Sequence, residues 1–445
     1  MSEAIANPED KAQPIPDFKR PGDGENVISG EIPNPFDIPL ADLNPVSARL
    51  FSEDKQWDYF KRLRAEDPVH FNQTELAGRY WSLTGYDEIK QVDSDHHNFS
   101  SAHGITLGFP IDAELPEGAL NVSMFIAMDP PTHDVQRKTV SPVVAPSNLA
   151  NLEGLIRQRT QSVLDSVPLN QPFDWVELVS IELTTQMLAT LFDFPFEDRR
   201  KLTRWSDVAT AVPGAGIVDS EEQRRAELIE CLQYFTQLWE ERKVNPGSDL
   251  VSMLAHGEET HDMQPLEFLG NLILLIVGGN DTTRNSMTGG VYALNQFSSE
   301  FAKLKSNPAL IPNMVAEIIR WQTPLAYMRR TANHDIELGG KAIKAGDQLL
   351  MWYVSGNRDE TAFERPNDLV IDRPNARGHL SFGFGIHRCM GNRLAEMQLR
   401  VLWEEIMDRF EHVEVVGEPV RIASNFVRGI AELPVRVHRR KTRAG

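Results

Sequence analysis

The chain is short of cysteine, with only Cys231 and Cys389 in 445 residues. Two thiols exclude a disulfide framework and are too few for an iron–sulfur cluster. Long apolar runs are also missing. The longest, LILLIV at residues 272–277, falls far short of the roughly 18 residues that read as a membrane span, so none is expected. The N-terminal MSEAIANPEDKAQ has neither a basic start nor an apolar block, and a cytoplasmic location is the expectation. Positive charge is scarce as well. With 45 Lys and Arg against 64 Asp and Glu, the net charge of −19 disfavours nucleic acid as a partner and makes any locally basic surface informative.

What is present is enough material for a large core. Apolar residues make up 41% and charged residues 24%, as in folded globular chains. Residues 1–40 are rich in Pro, Gly, Asp and Glu and read as an N-terminal extension; residues 41–445 contain no linker or repeat and read as one domain. Trp57, Phe60 and Leu63 predict a first helix that Pro68 ends, and helical periodicity fills 149–167, 175–192 and 226–241. After Pro265 comes a helix so apolar at 272–277 that it must be buried on every side. GRYWSLTGY, DIELGGKAI, QLLMWYV and LPVRVHR read as strands. The expected fold class is mainly α with small β-sheets at the margins.

Two stretches demand chemistry. In HLSFGFGIHRCMG, Cys389 admits a plain reading as a buried structural thiol. Its neighbours favour more: Gly383, Gly385 and Gly391 allow close approach of something flat, and a helix starting near Asn392 would aim amides at the sulfur and lower its pKa. A Cys–His pair with His387 is disfavoured because residues two apart point in different directions. Zinc is disfavoured because no second cysteine is near. A lone thiolate in a glycine-rich loop suits haem iron. The second stretch, GGNDTT at 278–283, sets two glycines and an acid inside the buried helix. Each glycine costs about 1 kcal/mol relative to alanine. A helix crossing would explain the glycines alone, but a buried carboxylate such as Asp281 must be paired or working. Thr282 can turn its hydroxyl to the Gly278 carbonyl, opening a groove for oxygen and water.

FGFGIHRCMG resembles the haem-binding loop of the cytochrome P450 superfamily, and GGNDT resembles its oxygen-activation motif. The resemblance covers nearly everything after residue 45 and implies a single-domain P450 fold, a triangular helical prism around a long oxygen-binding helix. It implies haem b as cofactor, with Cys389 as the iron ligand and Phe382 shielding the sulfur. His133, Arg137, Arg330 (with Arg329 as substitute), His379 and His387 are implied to face the haem propionates. Gly278 and Gly279 would lie against the haem and O2, while Asp281 and Thr282 would be the catalytic pair that delivers protons. Glu317 and Arg320, locked to Arg373, are implied to be structural.

Leu274, Val277, Leu325, Ala326, Met328, Phe426 and Val427 are implied to line the substrate pocket, with 105–124 as its roof. These residues are apolar, so a hydrophobic small molecule is expected. Electrons would come from a separate ferredoxin and ferredoxin reductase, docking near Arg388, Arg393 and Arg400. FDIPLADLNP, EDKQWDYFKRLRAEDPVH and LPEGALNVSMFIAMDPPTHD are similar to the bacterial subgroup that hydroxylates terminal (omega) carbons of alkanes and fatty acids. The alternatives are terminal oxidation of steroid or terpenoid side chains, and, from another class, a haem-based binder or gas sensor. A sensor needs no proton relay, and Asp281 with Thr282 argues against it, as it does against an enzyme fed by peroxide.

Overall fold

Gln264 in extended conformation and Pro265 at the first helical position open a 32-residue helix, Pro265–Gln296, roughly 48 Å long. In this computed structural model, which describes residues 19–22, 28, 30–116, 119, 122–214 and 216–440, the other helices gather around that one. Arg200–Thr210 and Glu182–Leu191 pack beside it, as do Ile311–Gln322 and Asn392–Arg409. The expectation of burial on every side is met only in part: Leu272 and Ile276 are buried, whereas Ile273, Leu274, Leu275 and Val277 are half-buried, so one side of the helix stays accessible. Leu269, Leu272 and Ile276 join Leu188, Trp205 and Phe235 in one core. Met287, Val291 and Leu294 join Trp175, Ile318 and Trp403 in a second. At Gly290 the helices come so close that a Cβ would lie 2.9 Å from Ile318 and 3.3 Å from Trp403. The helix runs unbroken through 278–283.

The predicted helices are present with longer bounds: Gln56–Glu66, Pro146–Ser166 and Glu221–Val244. The stretch 175–192 opens with a wide π-turn, Val176–Ile181, before the α-helix Glu182–Leu191. At one margin a five-stranded sheet takes the order Val69–Thr74, Gly78–Leu83, Gln348–Met351, Met328–Ala332, Phe99–Ser100. QLLMWYV is strand only through Met351: Tyr353–Gly356 forms a helical turn, with Tyr353 reaching Asp93 and the Val354 amide bound to Ala326. DIELGGKAI is the hairpin Ile336–Leu338 with Lys341–Ile343. LPVRVHR pairs, as Pro434–Arg439, with Phe410–Val415 and Phe173–Asp174.

Residues 1–18, 23–27 and 29 of the expected extension lie outside the described residues. Residues 30–40 run along the first long helix: Tyr59 donates to the Pro33 carbonyl at 2.9 Å, Arg62 donates to Ile38, and Ile32 is buried with Leu43 and Val46. Among the described residues, no helix is long and apolar enough to cross a membrane.

Candidate active site

The cysteine loop is held by its own backbone. The Cys389 amide donates to the Phe382 carbonyl at 2.7 Å, and Gly383 and Gly385 both adopt φ of +66°. At Gly385 a Cβ would stand 2.6 Å from the Asp93 carbonyl, so only glycine fits. The loop ends where Asn392–Arg409 begins, and the amides of Gly391 and Asn392 point at the sulfur. The sequence predicts a lowered thiol pKa, but the balance goes the other way. Burial pushes Cys389 up, and it outweighs the two amides, Arg137 and Arg388, which pull it down. The residue nevertheless keeps accessible surface. A group both desolvated and accessible faces an interior hollow.

The long helix shows a matching face. Gly278 is exposed and Leu274, Val277 and Thr282 are half-buried, whereas Ile276, Asn280 and Asp281 are buried. Accessible positions at this helical spacing form one stripe. Leu274 and Met390, the neighbour of Cys389, pack against the same large core, and the long helix touches Asn392–Arg409, the helix into which the cysteine loop runs. The Thr282 hydroxyl donates to the Gly278 carbonyl at 3.0 Å. Gly279 lies against Leu188, where a Cβ would be 2.7 Å from Cδ2.

Asp281 is 1% exposed. Its Oδ1 accepts from Arg284 at 2.8 Å and from Asn280 at 3.2 Å, while Oδ2 makes no hydrogen bond of ordinary length among the described residues and has the likewise unpartnered Ser206 hydroxyl near enough to pull its pKa down. Burial pushes its pKa up to about 6 against the pull of Arg284. Arg284 also donates to Asp207 at 2.9 Å, and Asp207 is part-exposed, so a chain of charged groups links the buried carboxyl to solvent.

Basic groups converge at the edge of the loop. The His133 and His387 rings sit 4.3 Å apart, edge to face. His133 Nδ1 bonds Asp134 at 2.8 Å, but its Nε2 and both nitrogens of His387 are buried without partners among the described residues. Burial, then Arg330, His133 and Arg137, push His387 down to about 2. Arg137 donates to the Arg388 carbonyl. His379 is buried, its ring 5.1 Å from Phe382, and burial with three nearby arginines pushes it down to about 3. Arg330 shares a strand face with Met328, whereas Arg329 turns away to Gly104 and Gln348.

The residues expected in the pocket fall into three groups. Leu274 and Val277 lie on the accessible helix stripe. Leu325 and Met328 are half-buried, and Ala326 between them is fully buried in the core. Val427 bridges Leu325, and the Phe426 carbonyl accepts from Ala326 at 2.8 Å, which holds the late turn against this strand. Farther off, Glu317 receives both Arg320 and Arg373 in a buried triad. Residues 117–118 and 120–121 of the expected roof lie outside the described residues.

Sequence reasoning missed Asp93, which accepts from Arg330, Tyr353 and the Phe384 amide. The signal was an acid on the apolar face of a helix beside Ile89 and Val92. It also missed Arg284 and Asp207.

These atoms test the site against haem b. A hollow bounded by a thiol and a glycine-thinned helix suits a flat ring. Three orphaned imidazole nitrogens among cations suit its carboxylates. The residues fit the group.

The comparisons agree. Residues 298–435 match the family model for cytochrome P450. The chain is 35% identical over 87% of its length to a linalool 8-monooxygenase from Pseudomonas putida, of which 96% is covered. It is 34% identical over 90% of its length to a methyl-branched lipid omega-hydroxylase from Mycobacterium tuberculosis, again covering 96%. The solved structure of cytochrome P450-153 from Novosphingobium aromaticivorans superposes with a TM-score of 0.83 at 47% identity, covering 90% of this chain and 100% of that one. The protein is therefore a haem monooxygenase. It belongs to the cytochrome P450 family, with haem b as its cofactor.

Proposed function

We propose that this monooxygenase hydroxylates unactivated, terminal C–H bonds of medium-chain alkanes, fatty acids or similar hydrophobic molecules. The observation that supports this reading is that Leu274, Val277, Leu325, Met328 and Phe426 are apolar and only half-buried; as a lining they would offer a chain no polar partner. An omega-hydroxylase of branched lipids among the relatives supports it. When bound, haem supplies the iron that activates dioxygen. In this reading residues 41–445 form the haem domain and Cys389 ligates the iron. Phe382 shields the sulfur, and His133, Arg137, Arg330, His379 and His387 hold the propionates. Gly278 leaves room for the ring and oxygen, whereas Gly279, expected to do the same, faces Leu188 and lets that neighbouring helix approach. Asp281 holds the proton and Thr282 orients its transfer, while the lining excludes bulk water and orients the chain end.

Electrons come from a ferredoxin and its reductase. Arg388 and Arg393 are exposed beside Cys389 and suit a small acidic protein. Arg400 contributes less because Glu153 and Glu404 hold it in ion pairs. The test is titration of the holoenzyme with alkanes, fatty acids, linalool and steroids, watching the Soret band. Matched turnovers with a surrogate ferredoxin system identify products. Alkane or fatty-acid shifts with terminal alcohols as products are expected; shifts with steroids alone would overturn the substrate assignment.

A further inference from the structure

A second cavity, of about 400 Å³, lies between the first long helix and the far end of the oxygen helix. Tyr292 on its wall is ten residues beyond Thr282, roughly 15 Å along the axis. The cavity is therefore separate from the haem hollow. Its walls carry Lys61, Arg64, Arg358, Arg421 and Arg428 against two carboxylates, Asp54 and Asp58, in a chain of net charge −19.

Arg64 is tied to Glu360 and the Ser355 hydroxyl and Arg421 to Asp54, so the donors left open are chiefly those of Arg428. Among the described residues Arg428 makes one side-chain hydrogen bond, to the Gln322 carbonyl, of the five donors a guanidinium offers. Burial, with Arg421 nearby, holds it down to about 10. Arg358 is 4% exposed and satisfies Pro366, Asn367 and Trp321 carbonyls, but its Nε has no partner. Burial, then Arg320 and Arg428, hold Arg358 well below the arginine range, with Glu317 and Asp54 opposing. Trp57 accepts Arg358 at 4.6 Å and Arg428 at 4.8 Å over its ring, which supports the faces of the guanidinium groups and leaves most of the Arg428 edge open to a ligand, while Arg358 is largely bonded to carbonyls. Arg421 already takes one carboxylate, Asp54 at 3.0 Å, beside the Tyr292 hydroxyl.

We propose that this cavity is a second ligand site, which takes an amphipathic carboxylate. Its head lies between Arg421 and Arg428, and its apolar body lies against Trp57, Tyr292 and Phe297. The space is too large for a bare inorganic anion and falls within the range of organic ligands. Planar guanidinium forks select carboxylate geometry.

Decanoate is the probe, added to holoenzyme whose haem iron carries 4-phenylimidazole, so that the haem hollow is blocked and the azole spectrum reports that it stays so. Tryptophan fluorescence and calorimetry read binding. The expected result is saturable binding of one decanoate per chain with the azole spectrum unchanged. Affinity should fall roughly tenfold or more in Arg428→Gln and in Arg421→Gln, the loss of one charged hydrogen-bonding partner. Arg421 is not adjacent to Val427, so its variant separates this site from the haem hollow, and the reduced carbonyl spectrum checks that both variants fold. No binding by the azole-blocked enzyme, or equal binding by both variants, would overturn the proposal. Inorganic phosphate binding as tightly as decanoate would overturn the apolar part of it.

Discussion

Arg330 and Asp93, 237 residues apart, form a buried ion pair with Nη2 2.7 Å from Oδ1. The other carboxylate oxygen accepts from the Phe384 amide at 2.7 Å and from Tyr353 at 2.9 Å. One side chain thus ties a sheet strand to the cysteine loop. Asp93→Asn would leave the buried Arg330 guanidinium without its protein carboxylate, at a cost of about 3–5 kcal/mol in the haem-free chain. Denaturant unfolding should show that loss, together with faster release of haem. A variant as stable as the parent would show that the carboxylate charge is not what holds the loop.

Glu317 is a sharper case, because its side chain is fully buried and both its oxygens are shared by Arg320 and Arg373, with the Val370 amide added at 2.9 Å. Glu317→Gln should lose about 3–5 kcal/mol and yield little haem-loaded protein. Glu222, exposed and with the same spacing to a following arginine, is the contrast. Glu222→Gln should stay within about 0.5 kcal/mol. Haem absorbance per chain and the melting temperature separate the two.

That contrast also marks how far the sequence could be read. Glu317 with Arg320 and Glu222 with Arg225 look alike as text; burial distinguishes them, and burial comes from helices brought in from distant segments. The long helix was legible because 272–277 is apolar on all faces. The cysteine loop was legible because its glycines, His387 and Cys389 lie within a few residues. Asp93, Arg284 and Asp207 were not. Asp93 and Asp207 meet partners from across the fold, whereas Arg284 bonds Asp281 three residues earlier, a local spacing that gains its meaning only from burial. The thiol direction at Cys389 was misread for a related reason: amides at a helix start are visible in the sequence, whereas the desolvation that outweighs them depends on packing.

Asp281 offers a test in pH. Its pKa, raised from 3.8 to about 6, keeps the carboxyl protonated below that value and ionised above it. Oδ2, beside the Ser206 hydroxyl, has room for the proton, and Arg284 holds the other oxygen and ties it to Asp207. Product formation with a fixed electron supply should therefore fall as pH rises through about 6. Asp281→Asn should be roughly 10²-fold slower and show no such limb. A limb that survives in the variant would belong to another group.

The two glycines of the oxygen helix should separate stability from function. At Gly278 a Cβ meets no atom within 4 Å, and at Gly279 it would stand 2.7 Å from Leu188 Cδ2. Gly278→Ala should leave the fold intact or up to about 1 kcal/mol more stable, since alanine is the better helix former. Its methyl, however, enters the hollow where ring and oxygen must fit, so turnover should drop, by up to roughly 10²-fold if it displaces the reacting groups by an ångström. Gly279→Ala should do the reverse in part, losing stability as Leu188 gives way while the accessible stripe keeps its shape. Melting curves and turnover on both variants decide it: if Gly278→Ala keeps full activity, the exposed face of the helix is not where the chemistry occurs.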